Sequence, residues 1–529
     1  MPPASMAEVL GTWNAPQASR AVVRMCHSPL ASLGGGHYAL AQNSRESGFT
    51  MSGTQSARAM VAALGLAVAM PAFAQIDGVQ TRQYDDGAIY EGEFRDGLQH
   101  GQGTYRLPNG FEYSGEWVEG AITGQGVARY PNGSVYEGTF LDGLPHGQGV
   151  MTFADGSSYD GAWVEARIEG EGRRVFDSGV VITGNFVDGQ PHGTAVMERP
   201  DGYRYEGDWV MGVREGEGVS TYPDGTVYTG AMVDNQRHGQ GRLERPDGLI
   251  YDGAWAEGQL HGEGRLVQPD GDIFEGSFRA GLRHGVGRVI HADGRVFDGS
   301  FDNDLRQGLG VLQGPDGMRY EGMWVAGQIE GEGTLTQPDG SVYQGSFRGG
   351  LPEGQGVITY ADGSSYEGEW VAGHFEGEGR ADFGEGMIYE GGFLGGLSHG
   401  EGIMEFGDGR VYTGAWRQGE MHGQGEMRFP DGTVYIGEFA DGERHGTGRI
   451  EMASGFIYEG EWVAGEIEGQ GIATYATGDV YEGAFRAGQR HGEGVLRYAT
   501  GESVAGNWEE GVLIDPAPED APAADMAED

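Results

Sequence analysis

The stretch "YEGEFRDGLQHGQGTYRLPNGFE", residues 90–112, has five glycines spaced between aromatic side chains. The pattern returns every 23 residues without insertion or deletion. Its leading residue, usually Tyr, therefore recurs at nineteen places from Tyr90 to Val504, and it is position 1 of each repeat. A fixed period of this length is the signature of a repeat array.

Each repeat predicts a β-hairpin. Tyr90, Gly92 and Phe94 alternate with polar residues, which is strand periodicity with the aromatic side chains on one face. A second alternating run begins at Gly101, and we expect residues 96–100 to form the loop between the two runs. The residues expected to build the first hairpins are Tyr90, Gly92, Phe94, Gly101, Gly103, Tyr113, Gly115, Trp117, Tyr136, Gly138 and Phe140.

Glycine on the aromatic face has a packing role, because it leaves room for a neighbouring ring to lie flat across the backbone. Position 3 is always Gly, and position 14 is Gly in every complete repeat except one, where Ala195 replaces it. Two buried rings per repeat cannot offset the conformational entropy of ordering 23 residues. Stability must therefore come from stacking each hairpin on its neighbours.

A second period lies over the first at position 5. Between residues 94 and 278, Phe alternates with Trp, and Met232 replaces one Phe. The structural unit can therefore be 46 residues, two hairpins with different faces. The alternation slips where Phe278 and Phe301 follow each other, so we expect a local change of twist or curvature at Phe301.

The composition excludes several classes of function. The chain of 529 residues has 103 glycines and a formal net charge of −46, and it contains no lysine. Without lysine there is no P-loop, no protein-kinase ATP site and no pyridoxal Schiff base. The negative charge argues against nucleic acid as a partner, because phosphates are bound by positive patches.

The N-terminal region predicts export. Residues 51–74 have a short polar start with Arg58, an apolar segment and an Ala72-Phe-Ala74 ending, the pattern of a secretory signal peptide. We expect cleavage between Ala74 and Gln75. Residues 1–50 show neither a repeat nor targeting logic, so Met51 is the expected initiator and residues 1–50 a non-native extension.

The predicted organisation has five parts. They are the extension at 1–50, the signal peptide at 51–74, a short lead-in at 75–86, an array of 19 repeats at 87–514 with the last one truncated, and an acidic tail at 515–529. The tail contains mainly Pro, Ala and acidic residues and is expected to be disordered.

The pattern closely resembles the MORN repeat family, whose unit reads approximately YxGxFxxGxxHGxG. The resemblance covers residues 87–514 and implies an all-β fold, an elongated, twisted, single-layer antiparallel sheet of tandem hairpins. It also implies roles in scaffolding, dimerisation or membrane attachment. The repeats also occur beside lipid kinase and methyltransferase domains, but this chain leaves no residues for a second domain, so we expect no enzyme.

Histidine recurs before Gly at position 11 in ten repeats, as at His100, His146 and His192. Equivalent atoms in adjacent hairpins are about 9.6 Å apart, too far for neighbouring imidazoles to share one ion. We interpret these residues as turn histidines that satisfy local backbone groups. No metal and no cofactor is predicted, and no residue is assigned a catalytic role.

Acidic residues on the polar face are the candidate binding residues. Most follow the leading aromatic residue, and they predict a negative stripe that either keeps the sheet soluble or binds divalent cations or a basic partner. The candidates are Glu91, Glu93, Glu137, Glu206, Glu321, Glu367, Glu369 and Glu459.

These observations predict a non-enzymatic, exported scaffold, periplasmic or associated with the cell surface. It would present a long acidic β-surface to another protein or to a second copy of itself, as in a homodimer. The alternative is a protein that binds a phospholipid membrane surface. Because anionic lipids repel carboxylates, that alternative requires bridging by divalent cations.

Overall fold

The computed structural model describes residues 78–516, which contain strands and turns and no α-helix. The strands form one antiparallel sheet of 39 strands, which confirms the all-β fold of tandem hairpins. The predicted extension, the signal peptide with its Ala74–Gln75 cleavage site and tail residues 517–529 lie outside the described residues.

The described chain divides into two compact units, one ending at Ala292 and the other beginning at Asp293. In the first unit the strands are β1 (Gly78–Gln83), β2 (Ile89–Arg95), β3 (Leu98–Arg106), β4 (Glu112–Val118), β5 (Ala121–Arg129), β6 (Val135–Leu141), β7 (Leu144–Thr152), β8 (Ser158–Val164), β9 (Arg167–Val175), β10 (Val181–Val187), β11 (Gln190–Glu198), β12 (Arg204–Val210), β13 (Val213–Thr221), β14 (Val227–Val233), β15 (Gln236–Glu244), β16 (Ile250–Ala256), β17 (Gln259–Val267), β18 (Ile273–Arg279) and β19 (Leu282–Ile290).

The second unit repeats the same pattern of a seven-residue strand followed by a nine-residue strand, except at its end. Its strands are β20 (Val296–Asp302), β21 (Leu305–Gln313), β22 (Arg319–Val325), β23 (Gln328–Thr336), β24 (Val342–Arg348), β25 (Leu351–Thr359), β26 (Ser365–Val371), β27 (His374–Asp382), β28 (Ile388–Leu394), β29 (Leu397–Glu405), β30 (Val411–Arg417), β31 (Glu420–Arg428), β32 (Val434–Ala440), β33 (Glu443–Glu451), β34 (Ile457–Val463), β35 (Glu466–Thr474), β36 (Val480–Arg486), β37 (Gln489–Arg497), β38 (Ser503–Glu509) and β39 (Val512–Pro516).

Both ends of the array extend beyond the predicted boundaries. The lead-in contains β1, which pairs with β2 along its whole length. At the other end β39 includes Asp515 and Pro516, which the sequence had placed in the disordered tail. The backbone of these residues continues the sheet by pairing with β38.

The loop inside each hairpin is shorter than predicted. Only Asp96 and Gly97 join β2 to β3, and both have positive φ angles, 54° and 80°, as in a type I′ turn. His100 lies inside β3, so the assignment of residues 96–100 to a loop was wrong. The extra residues form a β-bulge, where the register shifts between Gly92 and Phe94 and Gly101 takes a φ of 61°.

The aromatic face of the sheet is its core. Tyr90, Phe94 and Trp117 are buried, and their rings meet edge to face. The centroid of the Tyr90 ring lies 5.1 Å from that of Phe94 and 5.2 Å from that of Trp117 in the next repeat. Where position 5 is aromatic in both repeats, the tyrosine therefore joins the ring of its own hairpin to the ring of the following one, and such pairs are favourable beyond their buried area.

A pair of facing glycines lies beneath each tyrosine ring. Gly138 pairs with Gly149 across two strands, and a Cβ atom on Gly149 would lie 2.2 Å from the hydroxyl oxygen of Tyr136. The same hydroxyl group donates a hydrogen bond of 3.0 Å to the carbonyl oxygen of Thr139. The predicted packing of a ring flat on glycine is therefore confirmed, and the phenol also binds the backbone at the bulge.

The single exception at position 14 follows the same rule. Ala195 faces Gly184, and the leading residue of that repeat is Ile182 instead of tyrosine. Because no phenol ring lies over this pair, the methyl group of alanine has space. The two departures from the repeat, at positions 1 and 14, compensate each other.

Tryptophan at position 5 joins consecutive repeats. The indole Nε1 of Trp163 donates a 3.0 Å hydrogen bond to the carbonyl oxygen of Gly149 in the preceding hairpin. The same bond recurs at Trp117, Trp209, Trp255, Trp370, Trp416, Trp462 and Trp508. Phenylalanine cannot donate this bond, so the Phe and Trp repeats differ as predicted.

The repeat that follows the slip in the alternation is different. The Nε1 atom of Trp324 is buried and has no hydrogen-bond partner among residues 78–516. The guanidinium carbon of Arg306 lies 4.8 Å from its ring centroid and 4.6 Å from that of Phe297. Trp462 has a similar cation–π contact and also makes the indole hydrogen bond, so the repeat after the slip lacks the hydrogen bond and has only the cation–π contact. The change of twist or curvature at Phe301 stays a prediction.

Half-buried arginines that lie on aromatic rings are a feature that the repeat pattern did not reveal. Arg444 at position 10 lies 4.4 Å from the ring centroid of Trp462 and donates a 2.8 Å hydrogen bond to the carbonyl oxygen of Gly465. Burial lowers the pKa of its guanidinium group. Arg490 makes the equivalent contacts with Trp508 and Gly511, so these cations also link neighbouring hairpins.

The exception at position 14 provides a test of the core. We expect Gly149→Ala to lower the free energy of unfolding by about 2 kcal/mol, because the methyl group would overlap the Tyr136 ring. In the double variant Tyr136→Ile/Gly149→Ala the methyl group has space, as at Ile182 and Ala195. The combined loss should therefore be smaller than the sum of the single losses by about 1 kcal/mol or more.

Urea titrations of the four proteins of this cycle measure the coupling. The repeat of Tyr136 has Phe at position 5 and is followed by a Trp repeat, as the repeat of Ile182 is, so the natural and engineered contexts match. Additive losses within error would contradict the proposed contact between the ring and the glycine.

Alkaline pH provides a second test. Burial raises the pKa of Tyr90 and Tyr159 to about 12, above the ordinary value of 10. A raised pKa in the folded protein means that the neutral phenols favour folding. Their contribution to the free energy of unfolding should therefore be constant below pH 10 and be lost as the pH rises towards 12. Absorbance at 295 nm and circular dichroism should change together above pH 11. Ionisation near pH 10 with an unchanged sheet would show that these phenols are not buried.

Candidate functional site

The outward face of the sheet, opposite the aromatic core, carries the candidate acidic residues. Positions 2, 4 and 6 of the first strand point to this face, as the alternating burial of β2 shows. All eight candidates are exposed there, at Glu91, Glu93, Glu137, Glu206, Glu321, Glu367, Glu369 and Glu459.

The acidic stripe is less continuous than the sequence suggested. The cross-strand neighbours of Glu137 are Val127 and Val150, and Glu367 faces Arg380. Four of the candidates also have an arginine nearby. These ion pairs are Glu91–Arg106 at 3.7 Å, Glu206–Arg204 at 2.7 Å, Glu321–Arg319 at 2.6 Å and Glu459–Arg449 at 3.9 Å.

The carboxylates at position 4 have a structural role. Glu93 lies over the bulge, where a Cβ atom on Gly101 would be 2.2 Å from its carboxylate, and it accepts a 3.3 Å hydrogen bond from the amide of Gln102. Glu369 covers Gly377 in the same way. These two candidates stabilise the bulge, so they are less available to a partner than the carboxylates at position 2.

Glutamate at position 11 links its hairpin to the next one in five of the described repeats. Glu215 accepts a 3.1 Å hydrogen bond from the amide of Asp234, the first turn residue of the following repeat. The same contact joins Glu330 to Gly349, Glu353 to Ala372, Glu376 to Gly395 and Glu468 to Ala487. In this way a glutamate side chain of one hairpin caps the tight turn of the following hairpin.

Histidine occupies this position in other repeats, and its interpretation as a turn residue was wrong. The histidines lie in the second strand of their hairpins. Within residues 78–516, five of them have a buried Nδ1 atom without a hydrogen-bond partner, so the expected bond to local backbone is absent there. They are His100, His146, His192, His399 and His422.

A shallow groove of about 610 Å³ brings three candidates together at the start of the array. Glu91, Glu93 and Glu137 line it with a fourth carboxylate, Glu116. The other polar lining groups include Gln102, Gln125, Thr104 and Ser114. The remaining five candidates lie along other strands and do not contribute to this groove.

The groove combines two kinds of polar group. Amide and hydroxyl groups can both donate and accept hydrogen bonds, and carboxylates attract cationic groups. Among the described residues no three or more His, Cys, Asp or Glu side chains are grouped so that they could hold a metal ion. Residues 78–516 also include no helix that is long and apolar enough to cross a membrane.

The first unit contains one buried polar network that departs from the repeat. Arg214 is buried and donates hydrogen bonds to both oxygen atoms of Asn235 and to the hydroxyl of Tyr203. That hydroxyl is 3.0 Å from Oγ of Ser220. Asn235 replaces the usual turn glycine with a φ of 66°. The repeat pattern did not reveal this network. Its side chains bind one another, so the network is structural.

Comparison with protein families gives the same repeats. The model of the MORN repeat matches eighteen consecutive segments. The chain belongs to the MORN repeat family. The matched residues are 90–111, 113–135, 136–158, 159–181, 183–202, 205–227, 228–250, 251–273, 274–294, 297–319, 320–342, 343–365, 366–388, 389–409, 412–434, 435–455, 458–480 and 481–503.

Membership of the MORN repeat family identifies a repeat scaffold, of a kind that commonly serves interactions with proteins or membranes. A search of curated proteins gives no match. The assignment of this MORN protein therefore rests on its repeats and on their geometry.

Solved structures give only remote likenesses. The TCP domain of SAS-4 from Drosophila melanogaster, in complex with a proline-rich motif of Ana2, is 15% identical, and the match covers 34% of this chain and 85% of that chain with a TM-score of 0.19. The TCP10 domain of Danio rerio CPAP with a STIL peptide is 14% identical over 51% and 97%, with a TM-score of 0.17. A virginiamycin B lyase from Staphylococcus aureus is 12% identical over 56% and 96%, with a TM-score of 0.11. At these scores the likenesses carry no argument.

Proposed function

We propose that this MORN protein is a non-enzymatic, exported scaffold that binds a basic protein partner on its outward face. The observation that carries the proposal is the groove at residues 91–137, where four carboxylates surround amide and hydroxyl groups. The aromatic face cannot serve in this way, because its rings are buried against one another.

The outward face has the charge and the exposure that binding of a cationic partner needs. Its carboxylates at position 2 are exposed, as at Glu91 and Glu137. Exposed carboxylates attract a cationic partner over a distance of about 8 Å at physiological ionic strength.

Export belongs to the same proposal, and it is supported by the signal-peptide pattern at residues 51–74. An acidic scaffold in the periplasm or at the cell surface would meet its partner there. N-terminal sequencing of the native protein should begin at Gln75. A protein that starts at Met1 or Met51 in the purified cell envelope would contradict this part.

Photo-crosslinking in intact cells tests the binding proposal. A photoreactive amino acid at Gln102, an exposed side chain in the groove, should give one discrete adduct with a basic protein. The double variant Glu91→Gln/Glu137→Gln should reduce the yield of this adduct about tenfold, because it removes two charges from the groove. The yield should also fall with rising salt concentration.

The array provides matched controls. Gln470 occupies the same position of its repeat and is exposed, so a photoreactive residue there should give no such adduct. The double variant Glu321→Gln/Glu367→Gln removes two equivalent charges outside the groove and should leave the adduct unchanged. The proposal is overturned in favour of the membrane alternative if neither position gives a protein adduct and the purified protein sediments with anionic vesicles in the presence of calcium.

A further inference from the structure

A row of aliphatic side chains runs along the outward face of the first unit, beside the hairpin turns. Six consecutive repeats carry Val or Leu at position 6, where most of the other repeats have Arg, Asp, Glu or Ala. We call this row the apolar ridge. It consists of Val118, Leu141, Val164, Val187, Val210 and Val233.

The apolar ridge has no cover within the described residues. Five of its six side chains are between 36% and 48% exposed, and Val187 is half-buried. Leu144 and Val213 at position 9 extend it across the hairpin, since they pair with Leu141 and Val210. Arg167 and Gln190 occupy position 9 opposite Val164 and Val187, so the row is interrupted on that side of the hairpin. A single exposed valine needs no explanation, but six in register on adjacent hairpins mark an interaction surface.

Carboxylates flank the apolar ridge on both sides. On the side of the turns, position 7 supplies five exposed acidic residues, Glu119, Asp142, Glu165, Asp188 and Asp234. On the side of the sheet, position 13 supplies Glu171 and Glu217, which are also exposed. A ligand that covers the ridge must therefore combine an apolar stripe with positive charges on both sides of it.

The charge pattern excludes two possible occupants. A second copy of the chain carries the same net charge of −46 and would bring like charges to the ridge. The tail at residues 517–529 contains no basic residue and five acidic ones, Glu519, Asp520, Asp525, Glu528 and Asp529. Neither can supply the positive flanks, so the occupant is another protein.

The spacing of the apolar ridge matches an α-helix. Consecutive ridge side chains are two strands apart, a distance of about 9.6 Å. Seven residues of an α-helix rise about 10.5 Å. A helix with one aliphatic residue in seven would therefore place successive side chains against successive repeats. The mismatch is about 1 Å per repeat and accumulates to about 5 Å from Val118 to Val233, which is about half the spacing of two repeats.

We propose that the apolar ridge docks a basic amphipathic α-helix of the partner protein, with an aliphatic residue at every seventh position and Lys or Arg on both flanks. This inference rests on the proposed function, since it assumes a basic protein partner, and it identifies the surface and the form of that partner. The helix lies along the six repeats from Val118 to Val233.

Fluorescence anisotropy with a synthetic peptide tests the inference. The probe is a labelled 36-residue helical peptide with Leu at every seventh position, Lys at the flanking e and g positions and Ala and Gln elsewhere. It should bind the purified protein, and raising the salt concentration from 50 to 500 mM should weaken binding at least tenfold. A peptide of the same composition with Leu at every fifth position should bind at least tenfold more weakly.

Matched variants localise the binding. The triple variant Val118→Thr/Val164→Thr/Val210→Thr removes three ridge side chains at exposed strand positions that threonine tolerates, and it should weaken binding at least tenfold. The control Val325→Thr/Val371→Thr/Val463→Thr changes three equally exposed valines at the same position in the second unit, where Arg348 and Arg417 interrupt the row. The control should change binding less than twofold.

Three outcomes would overturn the inference. The first two are equal binding of the two peptides and an equal loss of binding in the two triple variants. The third is preferential binding of a basic polyproline peptide with an aliphatic residue at every third position, because three residues of such a helix span about 9.3 Å. The photo-crosslink at Gln102 separates this failure from failure of the proposed function. If the ridge variant keeps the adduct, the protein has a basic partner that binds elsewhere.

Discussion

The contact between a tyrosine ring and two facing glycines is the constraint on which the rest of this structure depends. The ring of Tyr136 lies so close to Gly149 that a Cβ atom there would overlap the phenol. Glycine is therefore required on the aromatic face, although it costs stability in a strand. The one complete repeat without the ring, at Ile182, is also the one in which alanine replaces the glycine at position 14.

The packing of the aromatic face leaves the outward face free to vary. Bonds between neighbouring hairpins come from tryptophan indoles, from position-11 glutamates such as Glu215 and from half-buried arginines such as Arg444. Each of these contacts reaches only the next repeat, so stability accumulates along the chain as in other repeat arrays. The apolar ridge and the acidic groove lie on the other face. A partner surface can therefore change without disturbing the core.

Much of the fold could be predicted from two patterns in the sequence. The alternation of aromatic and polar residues follows from the two-residue period of a β-strand, and the 23-residue period shows that the same hairpin recurs. The bulge could not, since it breaks that alternation at Gly101 and moves His100 from a loop into a strand. The face of the acidic residues was also predictable. The neighbours of these acidic residues could not be predicted, because Arg106 reaches Glu91 only through the cross-strand register. The apolar ridge could not be predicted either, because its valines look like ordinary strand ends in a single repeat.

Hydrogen exchange in a Tyr412→Leu variant tests the central claim most directly. The account predicts faster exchange of backbone amides in the hairpin of Tyr412, which contains Gly414 and Gly425, and in the two adjacent repeats, with unchanged protection farther along the same unit. This result would show that one ring on its glycine pair holds one hairpin in place. Unchanged exchange in the hairpin itself, or a uniform loss of protection along the whole array, would contradict the account.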